Sequence, residues 1–293
     1  MMMIKKIAAA AALLAAAPAF ATITGGGASN TPLGEMFLSV YDSNLNKSYT
    51  LDLGAGFTNQ ASFKNLADAN VAGYTKTWTL TGDTSWASYF AASTANAGTI
   101  ADDKWLVMSI EKNASNTTPS GAKRLLTTIR QGDEAVIPES MNTFGFNSFI
   151  GSSQSGTFYT AVNGTGTHSS SANGSSFNSA SDGKALVGGT GSVISDNFNG
   201  NAQFGNSNLV GQSAQFAYIT NASTLQLTPV LVDFFENSAG RGTFAFNVDA
   251  GGNANLTYTL AAVTAPIPEP SSYALLVAGL FAVGFVVRRR NHV

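Results

Sequence analysis

Apolar and polar residues alternate in short runs along most of this chain. Met36, Leu38 and Val40 interleave with Phe37, Ser39 and Tyr41. A period of two sends successive side chains to opposite faces, so this run predicts a strand. Residues 42–46 carry turn chemistry, and residues 48–53 predict a second strand that stops at Gly54, which makes a hairpin. Residues 74–80 set Thr75, Thr77 and Thr79 against Tyr74, Trp78 and Leu80. Residues 104–111 put Trp105, Val107 and Ser109 on one face and Leu106, Met108 and Ile110 on the other. Residues 125–130 predict a further strand. Residues 213–220, 224–235, 242–249 and 254–263 predict four more, with Gly240, Gly251 and Gly252 supplying turns. Many short strands at close spacing predict an antiparallel sandwich.

Helical spacing is rarer. Residues 59–72 place Phe63 and Leu66 one turn apart. Residues 83–92 predict a short helix capped by Asp83 or Thr84, with Trp86, Tyr89 and Phe90 on one face. Pro138, Glu139 and Ser140 can open a helix carrying Met141, Phe144, Asn147 and Phe149. Residues 113–121 read as a loop. Between 151 and 211 the pattern dissolves into Gly, Ser, Asn and Thr, punctuated by Phe158, Tyr159, Phe177, Phe198 and Phe204. This low-complexity stretch reads as polar hairpins or as a long excursion from the fold. With so few apolar residues to offset ordering entropy, residues 165–182 are expected to be the most mobile part.

The two ends follow another pattern. Residues 1–21 open with Lys5 and Lys6, continue through an apolar run and close on Ala19-Phe20-Ala21. That order predicts a secretory signal helix, removed by signal peptidase, which reads Ala19 and Ala21. Residues 266–293 hold Pro268, Glu269 and Pro270, then an uncharged run from Tyr273 to Val287, then Arg288, Arg289 and Arg290. The run predicts one C-terminal transmembrane helix over 272–287. It is short, because about 15 residues at ~1.5 Å each give roughly 22 Å against a hydrocarbon core of ~30 Å. Lysines at one end and arginines at the other both stay inside if the middle is exported. The fold class is therefore mainly β: a sandwich-like ectodomain over 22–265 with a few short helices, a signal helix before it and a transmembrane helix after it.

Composition narrows the function. The chain has 15 Lys and Arg against 17 Asp and Glu. Five of the basic residues sit in the two terminal segments, so the middle is acidic. It carries no basic stripe to neutralise phosphates, which argues against a nucleic-acid partner. There is no cysteine, hence no disulfide framework, and no cofactor motif is present. The middle holds one histidine, His168, in a Gly/Ser-rich stretch where nothing in the sequence orients it for catalysis. Asp102, Asp103, Asp182, Asp196 and Asp249 lack calcium-loop spacing. Asp133 and Glu134 near Glu139 are a carboxylate pair only if they share a cleft. Trp78, Trp86 and Trp105 read as core residues before they read as a sugar-binding row. No metal, cofactor or catalytic residue is assigned, and the chain is not expected to be an enzyme.

The tail resembles the PEP-CTERM sorting signal of Gram-negative bacteria, the substrate signal of the membrane peptidase called exosortase. The residues that carry the resemblance are Pro268-Glu269-Pro270, the run from Ser271 to Leu276, Gly279, Gly284 and the three arginines. The resemblance implies processing near Pro268 to Pro270, with Arg288 to Arg290 as the stop-transfer block. It also implies transient residence in the inner membrane and release to the cell surface or medium. Association with extracellular polysaccharide, as in a biofilm matrix, is the expectation that follows. A carbohydrate-binding or adhesive module is a second reading and predicts an exposed aromatic row. A secreted hydrolase is a third and predicts a pocket with convergent carboxylates.

Overall fold

The computed structural model describes residues 22–23, 34–56, 73–95, 98–111, 123–135, 141–150, 157–221, 227–263 and 270–290. Two compact units share them, Met1–Ala262 and Val263–Val293. In the first unit the chain runs β1 (Glu35–Asp42), β2 (Lys47–Gly56), β3 (Tyr74–Thr79), α1 (Thr84–Ser93), β4 (Lys104–Glu111) and β5 (Arg124–Ile129). It continues through α2 (Thr143–Phe149), α3 (Tyr159–Asn163), β6 (Ser175–Ser179), α4 (Asp196–Gly200) and β7 (Asn208–Leu209). It ends with β8 (Ser213–Thr220), β9 (Leu231–Phe234), β10 (Glu236–Asn237), β11 (Gly240–Arg241), β12 (Thr243–Val248) and β13 (Ala254–Leu260).

The expected hairpin is present. Asp42 pairs with Lys47, and the Asp42 carboxylate accepts the backbone N–H groups of Asn44 and Leu45 at 2.8 and 3.0 Å, which closes the turn. A sandwich of two separate sheets is not shown. Eleven strands join one antiparallel sheet in the order β3-β13-β12-β8-β5-β4-β1-β2-β6, with β7 on β4 and β9 on β8. β10 and β11 form a separate pair. A one-sheet solution works because the sheet curls and its inner face closes on itself. Met36, Leu38, Val40, Trp105, Val107 and Phe246 meet there with Trp86 and Tyr89 of α1. The outer face is covered in its central part, where Phe37, Leu106, Met108 and Leu125 pack against Phe146, Phe149, Phe158 and Phe198. Both parities of β1 and β4 are therefore apolar, as strands covered on both sides require.

Asp83 caps α1, accepting the N–H groups of Ser85 and Trp86, as expected. The start of α2 differs from expectation. Asn142 pairs with Pro229 in an isolated bridge, and its side chain accepts the Gly145 N–H at 2.9 Å, so the helix opens at Thr143. That register buries Phe146 and Phe149 and leaves Phe144 58% exposed. The expected helix over 59–72, the loop over 113–121 and residues 138–140 lie outside the described residues.

The polar stretch is folded where it is described, residues 165–182 included. Strand β6 adds to β2 with Thr50 opposite Ser176 and Ser48 opposite Asn178. Thr167 and Ser175 bond to each other through backbone and side chain. Ser179 and Asp182 form a reciprocal capping box. Small polar side chains thus do locally what an apolar period does elsewhere. Sparse aromatics finish the task, with Phe198 5.0 Å from Phe204 and 5.3 Å from Phe149 between ring centres.

Beyond the central strands the outer face is bare. Register aligns its side chains in rows. Thr79, Asn255 and Asn247 form one; Thr77, Thr257, Ala245 and Ser213 the next; Thr75, Thr259, Thr243 and Gln215 the third. The opposite parity of the same strands, including Trp78, Leu256, Tyr258 and Phe244, is buried.

Candidate functional site: the C-terminal tail

The second unit holds one helix, α5 (Pro270–Arg290). Proline suits its first position, where the missing N–H costs nothing. The three arginines occupy the last turn, where cations complement the carbonyl end of the helix. Between them Leu275, Leu276, Phe281 and Phe285 are 62 to 74% exposed. A helix showing large apolar side chains in this way is built to meet another apolar medium or partner. Among the described residues, however, no helix is long and apolar enough to cross a membrane. The expected transmembrane segment over 272–287 is thus present as a helix but is not shown as a span. Its uncharged run is short and ends directly on the arginines. Pro268 and Glu269 lie outside the described residues, as do Ala19 and Ala21.

In the first unit the sequence candidates do not converge. His168 is fully buried, and its Nε2 lies 3.1 Å from Ser176 Oγ, which also accepts the Asn178 amide at 2.8 Å. His168 Nδ1 makes no hydrogen bond, and burial pulls the ring down to about 4, so it is neutral at pH 7. A serine–histidine contact closed to solvent, with no group holding Nδ1, is not set up as a catalytic triad. Asp103 accepts from Tyr89 and Ser93 at 2.6 Å each, and burial raises its carboxyl. Asp196 binds Arg130 and Lys104, while Asp133 accepts the Gly205 N–H at 2.7 Å. Asp182 belongs to the capping box, and Asp249 folds its own loop through Gly251 and Asn253. Glu134 accepts the Gly132 N–H, and Glu139 lies outside the described residues. Among the described residues no three metal-ligating side chains gather. All three tryptophans are buried, at 9, 2 and 0% for Trp78, Trp86 and Trp105. They form no exposed sugar-binding row.

Sequence reasoning missed the polar groups that organise the interior. Asp83 also accepts Tyr49 Oη and Ser175 Oγ at 2.8 and 2.9 Å, tying α1 to β2 and β6. Asp52 is fully buried, and burial pushes its carboxyl up to about 7. Its parity with Ser48 and Thr50 was the available signal. Glu111 and Arg124 form a buried ion pair at the end of β4 and β5.

Residues 266–290 match the family model of the PEP-CTERM protein-sorting motif. This chain carries a PEP-CTERM sorting motif. The match spans the Pro-Glu-Pro step, the apolar run and the arginines in order. The PEP-CTERM motif implies an exported protein that exosortase processes at the membrane. No curated protein and no solved structure matches the chain.

Proposed function

We propose that this is an exported cell-surface or extracellular-matrix protein whose β-rich ectodomain is delivered by a temporary tail. In this reading signal peptidase cuts after Ala21, and α5 holds the precursor in the inner membrane. Exosortase then acts at Pro268 to Pro270, and the ectodomain joins the exopolysaccharide matrix. The observation that carries the reading is the PEP-CTERM match at 266–290. A run of roughly 22 Å suits a brief stay better than a permanent one. Proline has no backbone N–H and disfavours helix in the residue before it, which suits a protease cleft. Arginine resists crossing and so stops translocation with the step at the outer face.

The ectodomain acts by structure and contact in this reading, without catalysis. Support comes from Asp83, Asp182 and Asp196, which are committed to a helix cap, a capping box and an ion pair, and from a His168–Ser176 contact that solvent does not reach. The test separates recognition from stopping. Glu269→Ala should leave membrane insertion intact and accumulate full-length protein in the inner membrane. Arg288→Gln, Arg289→Gln and Arg290→Gln together should let the tail slip and lower correct sorting. Glu269→Ala protein that matures and reaches the surface like wild type would overturn the reading.

A further inference from the structure

The bare outer face of β3, β13, β12 and β8 has a composition that a solvated strand face does not require. Its three rows contain Thr, Asn, Ser, Gln and one Ala, and no charged residue. Thr75, Thr77, Thr79, Asn255, Thr259 and Asn247 are exposed, and none of the described residues of the first unit packs over them. Exposed sheet faces and edges ordinarily carry Lys and Glu, which keep them soluble and unpaired. Here the nearest guanidinium, Arg241, stands at the rim, donating to Gln215 at 2.6 Å and paired with Glu236 at 3.1 Å.

Strand geometry makes the face a lattice. Neighbouring strands lie ~4.8 Å apart, and same-face side chains along a strand lie roughly 6.7 Å apart. Four strands and three rows therefore give a patch about 14 Å by 13 Å. Thr77 and Thr257 hydroxyls sit 3.1 Å apart across the β3–β13 pair, which holds that part of the lattice in place. β-branched threonine is stiff at its first side-chain torsion, so little entropy is lost when its hydroxyl engages a ligand. Each hydroxyl and amide both donates and accepts. The rigidity comes from beneath, because Trp78, Leu256, Tyr258, Phe244 and Phe246 lock the opposite parity into the core.

We propose that this face is a docking surface for a neutral polysaccharide chain. This deepens the matrix reading above and rests on it for the polymer's presence. The chemistry selects the occupant. A polyanion finds no cation within the rows, and an apolar partner finds no large apolar side chain. A polyhydroxyl chain without charge offers matching donors and acceptors and demands no charge partner. The patch is small, so one copy binds weakly, and many copies on one surface gain by avidity.

The test uses the processed protein with cellulose, dextran beads and alginate beads as probes. Retention on at least one neutral glucan is expected, unchanged by salt, with none on alginate. Replacing Thr75, Thr77 and Thr257 by Val keeps β propensity and shape while removing three hydroxyls, so the fold is retained. Retention should then fall about tenfold or more, the loss of one to two net hydrogen bonds. Thr160→Val on the exposed side of α3 should bind like wild type. Failure of every neutral probe, or a triple variant that binds like wild type, overturns the proposal. So does salt-sensitive retention on alginate alone. A concentration-dependent dimer abolished in the triple variant would assign the face to a second copy instead. Correct surface delivery without glucan binding sinks this proposal alone, whereas protein that never leaves the inner membrane sinks the sorting reading.

Discussion

Two buried groups set opposing pH dependences that a pair of variants separates. Asp52 lies on the outer face of β2; its Oδ1 accepts the Gly54 N–H at 2.8 Å and its Oδ2 has no hydrogen-bond partner. Burial raises its carboxyl from 3.8 to about 7. Below pH ~4 folded and unfolded chains are both protonated there, and ionisation costs nothing. From pH 4 to 7 the unfolded chain releases a proton that the folded chain keeps, so stability falls. At ~1.36 kcal/mol per pH unit the loss is at most roughly 4 kcal/mol. His168 runs the other way, since burial lowers it from 6.5 to about 4. Between those values the unfolded chain takes up a proton that the folded chain refuses, so stability falls as pH drops, by up to about 3 kcal/mol. Across pH 4 to 6.5 the two effects offset each other in the wild type. Asp52→Asn places a neutral group of the same size there. It should stabilise by ~1–4 kcal/mol at pH 8 and by almost nothing at pH 4, and it should expose the histidine slope. His168→Gln should expose the opposite slope. Urea unfolding at pH 4, 5, 6, 7 and 8 measures both, and differences from wild type cancel carboxyls shared by all variants, such as Asp103 and Glu111. An Asp52→Asn effect equal at every pH, or a loss at pH 8, would refute the reasoning.

Other outcomes are specific. Ile23 is buried against the outer core, and both its backbone groups bond to the Asn163 amide at 2.8 and 3.0 Å, so Ile23→Ala should cost about 2–4 kcal/mol by urea unfolding. Edman sequencing of the exported form should start at or near Thr22. Glu111→Gln removes the buried carboxylate that pairs with the Arg124 guanidinium and should cost ~3–5 kcal/mol, more than surface variants such as Glu134→Gln. In limited proteolysis with peptide mapping, residues 165–182 should be cut late, because β6 and the capping box tie them down; early cleavage there would contradict the β2–β6 pairing.

What the sequence disclosed and what it hid divide along physical lines. Strand positions at 35–42, 74–79, 104–111, 243–248 and 254–260 were legible, because alternation records which side chains meet the core. Pairing was not, since alternation assigns a face and never a neighbour. The contacts that turn two imagined sheets into one, β2 with β6, β5 with β8 and β13 with β3, join segments far apart in sequence. The members of the three polar rows were visible strand by strand, as one parity of each, and only register sets them side by side. The stretch around His168 hid its order because short polar side chains hold it, through bonds such as Asn178 to Ser176, and these leave no period. The tail was legible because its signal is linear. Its order of step, run and arginines needs no tertiary contact to be read.

Mass spectrometry of the C-terminus of the surface-delivered protein tests the central claim most directly. Processing by exosortase requires a C-terminus at or near Pro268 to Pro270, free or carrying an added group, with the α5 residues Leu275 to Arg290 gone. Surface protein that still ends in Arg288-Arg289-Arg290 and the residues after them would contradict a temporary tail and make α5 a lasting part of the mature molecule.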